Sequence, residues 1–398
     1  MTVRKPLLEW MIDGDPDLTP VVLFDPRATA ASYFGTEVRR RGQSASFSLA
    51  SESPVTPEMI LRCRAETGID FVWAMGGLTP LDLAGLMPDI EIEVREESDA
   101  DGSVRKRTTV RTPEGELSDA FLTVPDRPGF WSEHLVKGER DLPAMARLIE
   151  SAARTVLENP EAKALVQRRF AQRAAMMPPD VPLYVSIGVP AFVLTCNLYM
   201  ASTEAFFLLE DHVSLFERLF AIQAEADAAV LGWAAESGAD FVLHAINGLE
   251  LYSPAIYRKY FIPQAKRHHQ RAHELGLRTW VHTCGRMGRL IDMGVYDAMD
   301  VDVLESLSHG PLGDVDDLPA ARARLGKRVV TRGAVNVNLF YDSDLQSIRE
   351  RVRYVLGAVR GHRHMIGDTN DSFPPYPRDN LLAVVEEMRK SGRMLSPM

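Results

Sequence analysis

Residues 240–284 read DFVLHAINGLELYSPAIYRKYFIPQAKRHHQRAHELGLRTWVHTC, and this stretch decides the fold. It opens with a short apolar run (240–246), continues as a helix from Ser253 to about Leu275, and closes with a second apolar run (278–284). Two short buried strands joined by a helix pack as a parallel pair with a right-handed crossover. The alternation continues toward the C-terminus through VDVLESL (301–307), RVVTRGAV (328–335), the helix DLQSIRERVRYVLGAV (344–359), HMIG (364–367) and the helix RDNLLAVVEEMRK (378–390). Toward the N-terminus it runs through PLYVSIG (182–188), with helices near 141–157 and 160–176 before it and further helices through about 235 after it. Before these comes GIDFVWAM (68–75), which follows a helix over 56–67 with Thr56 as cap and Pro57 in its first turn. Seven such strands, with PVVLF (20–24) as an eighth, predict an α/β chain folded as a (β/α)8 TIM barrel. An open doubly wound sheet is the alternative.

One segment breaks the pattern. DIEIEVREESDADGSVRKRTTVRTPEGELSDA (89–120) alternates polar and apolar residues and is interrupted by Asp101-Gly102 and by Pro113-Glu114-Gly115. It reads as a β-ribbon inserted into the barrel chain. The expected organisation is an N-terminal extension carrying this ribbon over residues 1–130, and the main part of the barrel over 131–398, in one structural domain.

Composition narrows the function. The 398 residues are 45% hydrophobic and 25% charged, as in a globular protein. The 45 Lys and Arg against 55 Asp and Glu leave a formal charge of −10, which disfavours nucleic acid and anionic membranes as partners. No apolar run is long enough to span a bilayer, and the early acidic residues after Met1 do not read as a signal peptide. Three cysteines in so long a chain fit a cytoplasmic setting without a disulfide framework. Nothing in the sequence sets the oligomeric state, and a homodimer is compatible with it.

Chemistry concentrates at the strand ends. Along a strand His282 and Cys284 share a face, and in a barrel they stand at the C-terminal rim. An imidazole and a thiol so placed reach one zinc ion; the plainer alternative is a satisfied core histidine beside a buried thiol. One βα unit later, Glu305 ends the next strand, where an ionised carboxylate needs either a metal or a salt bridge, for instance to Arg286 or Arg332. His282, Cys284 and Glu305 therefore form a candidate N/S/O zinc triad with one position open. Other rim residues form three groups: His244, Asn247 and Glu250; Arg332, Asn336 and Asn338; Asp368, Asn370 and Asp371. Each alone reads as a loop cap or solvated side chain. As a set they line one rim, as a polar substrate pocket requires. Asn247, Arg332, Asn336, Asn370 and Asp371 are the candidate substrate contacts, and His244 and Glu250 the candidate proton donors. Tyr252, Tyr257 and Phe261 read as core. Cys63 and Cys196 read as inert, and His268, His269 and His273 as a solvated helix face.

The run SPAIYRKYFIPQAKRHHQRAHELGLRTWVHTCG (253–285) resembles the uroporphyrinogen decarboxylase superfamily, in particular its corrinoid-linked methyltransferase branch. There a helix opening with Ser/Thr-Pro leads to a strand ending in His-x-Cys-Gly. RTPEGELSDAF (111–121), EHLVKGERDLPAM (133–145) and PRDN (377–380) are similar to further parts of that family, and the likeness spans most of residues 50–395. The resemblance implies a barrel with Zn2+ at its rim and methyl transfer between a small-molecule donor and a corrinoid (cobalamin) on a partner protein. An arginine-rich N-terminal segment characteristic of true uroporphyrinogen decarboxylases is missing, which argues against porphyrin decarboxylation. The position of the branch's second cysteine is matched by Asn370. DAMDVDVLES (297–306) resembles a strand of cobalamin-independent methionine synthase whose glutamate binds zinc, and Glu305 falls there. The resulting expectation is O-demethylation of a small methoxylated compound, aromatic ones included. The alternatives are methyl transfer from a methylcorrinoid to a thiol or folate, and metal-independent decarboxylation.

Overall fold

The computed structural model describes residues 5–36, 54–124, 129–186, 191–246, 252–369 and 376–395. Its main sheet contains nine strands, all parallel: β1 (Val21–Val22), β2 (Ile69–Asp70), β3 (Trp73–Gly77), β8 (Leu183–Ser186), β9 (Phe241–Ala245), β10 (Arg278–His282), β11 (Val303–Ser306), β12 (Val330–Asn336) and β13 (His364–Thr369). Their spatial order is β2-β1-β13-β12-β11-β10-β9-β8-β3. The two ends are one stretch of chain. Val21 pairs with Ile69, Trp73 pairs with Leu183, and only Phe71 and Val72 separate β2 from β3. Residues 69–77 thus form a single stave that closes the ring, and the fold is a (β/α)8 barrel. The eight expected strands, PVVLF (20–24) among them, are the eight staves. Two of them lie before residue 130, and the ribbon's last strand runs across it at Phe130–Glu133, so the barrel begins well before that boundary.

Strand alternation fills the interior. Val22, Tyr184, Phe241, Leu243, Trp280, Val303, Val330 and Met365 form one inner cluster, while Val242, Val281, Leu304 and Ile366 face the helix layer. The N-terminal helix Pro6–Asp13 adds Leu7, Trp10 and Met11 to the inner cluster and plugs the barrel. Burying each such side chain contributes roughly 2 kcal/mol. Arg363 ties the plug in place by donating to Met11 O at 2.9 Å.

The ribbon is the antiparallel sheet β4 (Glu91–Ser98), β5 (Val104–Thr112), β6 (Gly115–Thr123) and β7 (Phe130–Glu133). Both expected turns separate its strands. Val110 and Leu117 join the core formed by Leu142, Met145 and Leu148 of the helix Leu142–Glu158. The helix Pro57–Thr67 begins as its sequence dictates, with Thr56 Oγ1 accepting from Met59 N at 3.3 Å. No described helix is long and apolar enough to cross a membrane.

Candidate active site

Register builds the site. His282 on β10 pairs with Glu305 on β11, and Glu305 pairs with Arg332 on β12. All three lie on inward-facing strand positions, so one row of the barrel carries an imidazole, a carboxylate and a guanidinium side by side. His282 Nδ1–H donates to Glu305 Oε1 at 2.5 Å, and Arg332 Nη1 donates to Glu305 Oε2 at 2.8 Å. On the other side of the ring, His282 Nε2 lies 2.9 Å from Cys284 Sγ. Arg332 Nη2 donates to Asp368 Oδ1 at 2.6 Å, and Nε to Val22 O at 2.8 Å. The result is a continuous polar chain, Cys284–His282–Glu305–Arg332–Asp368, across the barrel interior.

Its electrostatics are settled by pairing. Burial opposes a charge on the His282 ring, yet Cys284 and Glu305 on its two nitrogens raise its pKa well above the ordinary value. Burial likewise favours a neutral Glu305, but Arg332 and His282 outweigh it and hold the carboxyl below its usual range. A buried charge is tolerable only with such partners. The backbone just beyond the row is strained. Ser306 and Leu307 have φ of 96° and 54°, and Ala334 has φ of 68°. Non-glycine residues in this region are uncommon and cluster at functional sites.

The expected zinc triad is contiguous, but its members do not share a focus. Glu305 sits on the opposite side of the imidazole from Cys284, and both its oxygens are engaged. Among the described residues, no group of three or more His, Cys, Asp or Glu side chains is arranged to hold a metal ion. The salt bridge to Arg332, the alternative read from the sequence, is present. What remains on the Cys284 side is a nitrogen and a sulfur, the donor chemistry zinc takes. Behind it, Glu305 fixes the ring as carboxylates do for metal-binding histidines. These two donors fit zinc chemically.

The remaining candidates divide. Arg332 is almost fully buried and each of its three nitrogens donates to a protein acceptor, so it reads as an internal anchor rather than a substrate contact. Asn336 is also buried and clamps the loop after β11, accepting from His309 N at 3.2 Å and donating to His309 O at 2.9 Å. His244 faces away from the barrel mouth. It is an outward position of β9, and its Nδ1 meets His269 Nε2 at 2.8 Å. Asn247, Glu250, Asn370 and Asp371 lie outside the described residues.

The reading of His268, His269 and His273 as a solvated face is overturned. His269 is completely buried between His244 and Met299 O, which its Nδ1 meets at 2.7 Å, and burial lowers its pKa to about 4. His268 is buried against Asp227, and His273 Nε2 donates to Asp302 Oδ2 at 2.7 Å. Their Arg and Gln neighbours in sequence suggested solvent, but the helix Ile262–Glu274 turns His268 and His269 toward His244 of β9 and His273 toward Asp302. Cys63 and Cys196 are buried, and burial raises both thiols to about 12. Tyr252, Tyr257 and Phe261 lie in the core.

Sequence reasoning did not single out Phe24. Its ring lies 4.8 Å from that of His282 and 5.5 Å from Arg332 Cζ, and its amide donates to Asp368 Oδ1 at 2.8 Å. The available signal was its place at the end of PVVLF, level with the other strand ends.

Against known proteins, the sequence profile of the uroporphyrinogen decarboxylase (URO-D) family matches residues 142–391, well over half of the chain. Two curated proteins named uroporphyrinogen decarboxylase, from two strains of Thermus thermophilus, are each 31% identical over 214 residues. The match covers 52% of this chain and 59% of each relative, so less than two thirds of their length is spanned. Among solved structures, a methyltransferase from Methanosarcina mazei superposes with a TM-score of 0.57 at 16% identity, covering 97% of this chain and 98% of that one. At that identity the likeness is one of fold.

Proposed function

Because the chain belongs to the uroporphyrinogen decarboxylase (URO-D) family, we propose that it is a zinc-dependent methyltransferase acting on a small methoxylated compound. The observation that carries the reading is the His282 ring held between Glu305 Oε1 and Cys284 Sγ. His282 Nε2 and Cys284 Sγ would hold the metal, and Glu305 would keep the ring in the tautomer that leaves Nε2 free to bind. Zinc bound there supplies Lewis acidity toward the donor's leaving oxygen. A corrinoid carried by a partner protein would accept the methyl group.

The chain's own residues favour an oxygen donor. Cys63 and Cys196 are buried elsewhere, so Cys284 is the one thiol at the site. A centre with a single thiolate is harder than one with two, and suits polarisation of an ether oxygen. The side chains of the row fix His282 from behind, and the Phe24 ring covers it.

The test pairs metal analysis with turnover. About one zinc per wild-type chain is expected, with little in Cys284→Ser. Methyl transfer from methoxy compounds to free cob(I)alamin should follow the same order. Consumption of a methylcorrinoid with a thiol or folate, and no activity on methoxy compounds, would reverse the assigned direction. A second reading rests on the Thermus relatives, whose name is uroporphyrinogen decarboxylase. A metal-free chain that decarboxylates an acidic substrate at full rate would establish that reading and end the first.

A further inference from the structure

We infer that Arg332 is a positioning residue, an internal clamp that presses Glu305 against His282 Nδ1 so that Nε2 stays turned toward Cys284. This rests on the metal reading above. The sequence suggested a substrate contact, since an arginine at a barrel rim suits an anionic ligand. The geometry points elsewhere. The guanidinium spends Nε on Val22 O, Nη1 on Glu305 and Nη2 on Asp368, and its side chain is 1% exposed. It therefore spans β1, β11 and β13 from its own strand, β12.

Neighbouring residues are shaped around it. Gly367 lacks a side chain where a Cβ would fall 2.3 Å from Val22 O and 3.2 Å from Arg332 Nε. Phe24 lies over both Arg332 and His282. A planar fork suits this task, because it reaches three acceptors in fixed directions. A lysine ammonium keeps the charge but not the directions. Without the clamp, Glu305 has one fixed partner, and the His282 ring can rotate to trade its two nitrogens.

Cobalt(II) in place of zinc reports on this directly, through its thiolate charge-transfer and ligand-field bands. Wild type should bind cobalt with a sulfur band. Arg332→Gln should keep the sulfur band but shift the ligand-field bands and weaken binding by about tenfold to a hundredfold in chelator competition, the range seen for outer-shell partners. Arg332→Lys should recover part of the affinity. If Arg332→Gln matches wild type in spectrum and affinity, the clamp is refuted while the metal reading stands. If wild type binds no cobalt, both fall. Should Arg332→Gln fail to fold, Asp368→Ala decides the matter: it removes the acceptor at one end of the fork, so a smaller shift in the same direction is expected, and an unchanged spectrum overturns the inference.

Discussion

His282 and Glu305 are register partners on adjacent staves, and their side chains meet at 2.5 Å with Glu305 held from behind by Arg332. A carboxylate fully inside a barrel is therefore the link between a reactive rim and a structural anchor. Removing it leaves Arg332 short of one partner and His282 without an orienting group. Glu305→Ala is expected to cost about 3–5 kcal/mol in urea unfolding, the range for breaking a buried ion pair. Glu305→Gln keeps the shape and should cost less. A loss below about 1 kcal/mol for the alanine variant would mean that the pair is not the anchor described.

Close backbone approach predicts a contrast between two glycines. Gly367→Ala drives a Cβ against Val22 O and the Arg332 fork, and should cost about 1–3 kcal/mol as overpacking. Gly357, in the helix Leu345–Ala358, has open space where a Cβ would stand. Gly357→Ala should stabilise by about 0.4–1 kcal/mol through the unfolded chain and helix propensity. Thermal melts of the two variants should move in opposite directions.

Thiol labelling should be selective. In the folded, chelator-treated protein, iodoacetamide should modify Cys284 first, because Cys63 and Cys196 are buried with thiols raised to about 12. Peptide mapping by mass spectrometry reads the sites. Added zinc should protect Cys284. Equal labelling with and without zinc would remove Cys284 from the proposed metal site.

The His273–Asp302 pair predicts a pH window for stability. The Asp302 hydrogen bond, opposed by burial, raises the pKa of His273. Burial would raise the Asp302 carboxyl, but His273 and the Thr279 amide outweigh it and lower its pKa. The histidine's contribution is present below about pH 6.5, its unfolded value, and fades as pH rises through the higher folded value. The carboxylate's contribution is present above about pH 4 and fades as pH falls through the lower folded value. The melting-temperature gap between wild type and His273→Gln should thus be widest near pH 5 and shrink on the alkaline side. A gap that grows from pH 5 to pH 9 contradicts this account.

His244 supports a negative expectation. Its ring stacks on His269 with centroids 4.8 Å apart, behind the barrel wall. His244→Gln should lower the melting temperature while leaving the rate per folded molecule within about twofold. A hundredfold loss of rate, within the general-acid range, would return it to the catalytic machinery.

Much of this was legible in the chain. Apolar runs spaced by helices announced the barrel, since each must be buried on both faces. Alternation along RTWVHTC placed His282 and Cys284 on one face, and the following strand placed Glu305 beside them. The failures have one source. Periodicity states which residues share a face, but not what that face meets. His268 and His269 sit among Arg and Gln, so nothing local shows that β9 covers them. Nearness to a strand end suggests the rim for His244, whereas alternation with Phe241 and Leu243 turns it outward.

The sequence by itself determined the staves, the ribbon, and the residue types gathered at the barrel mouth, because these follow from hydrophobic spacing and strand parity, which are local properties. Only the tertiary structure decided which polar groups satisfy one another. Glu305 chooses Arg332 and His282, Asn336 chooses the His309 backbone, and Arg332 reaches Val22, hundreds of residues away along the chain. Those choices depend on strand register and on the desolvation each buried charge must offset, and both exist only once the ring has closed.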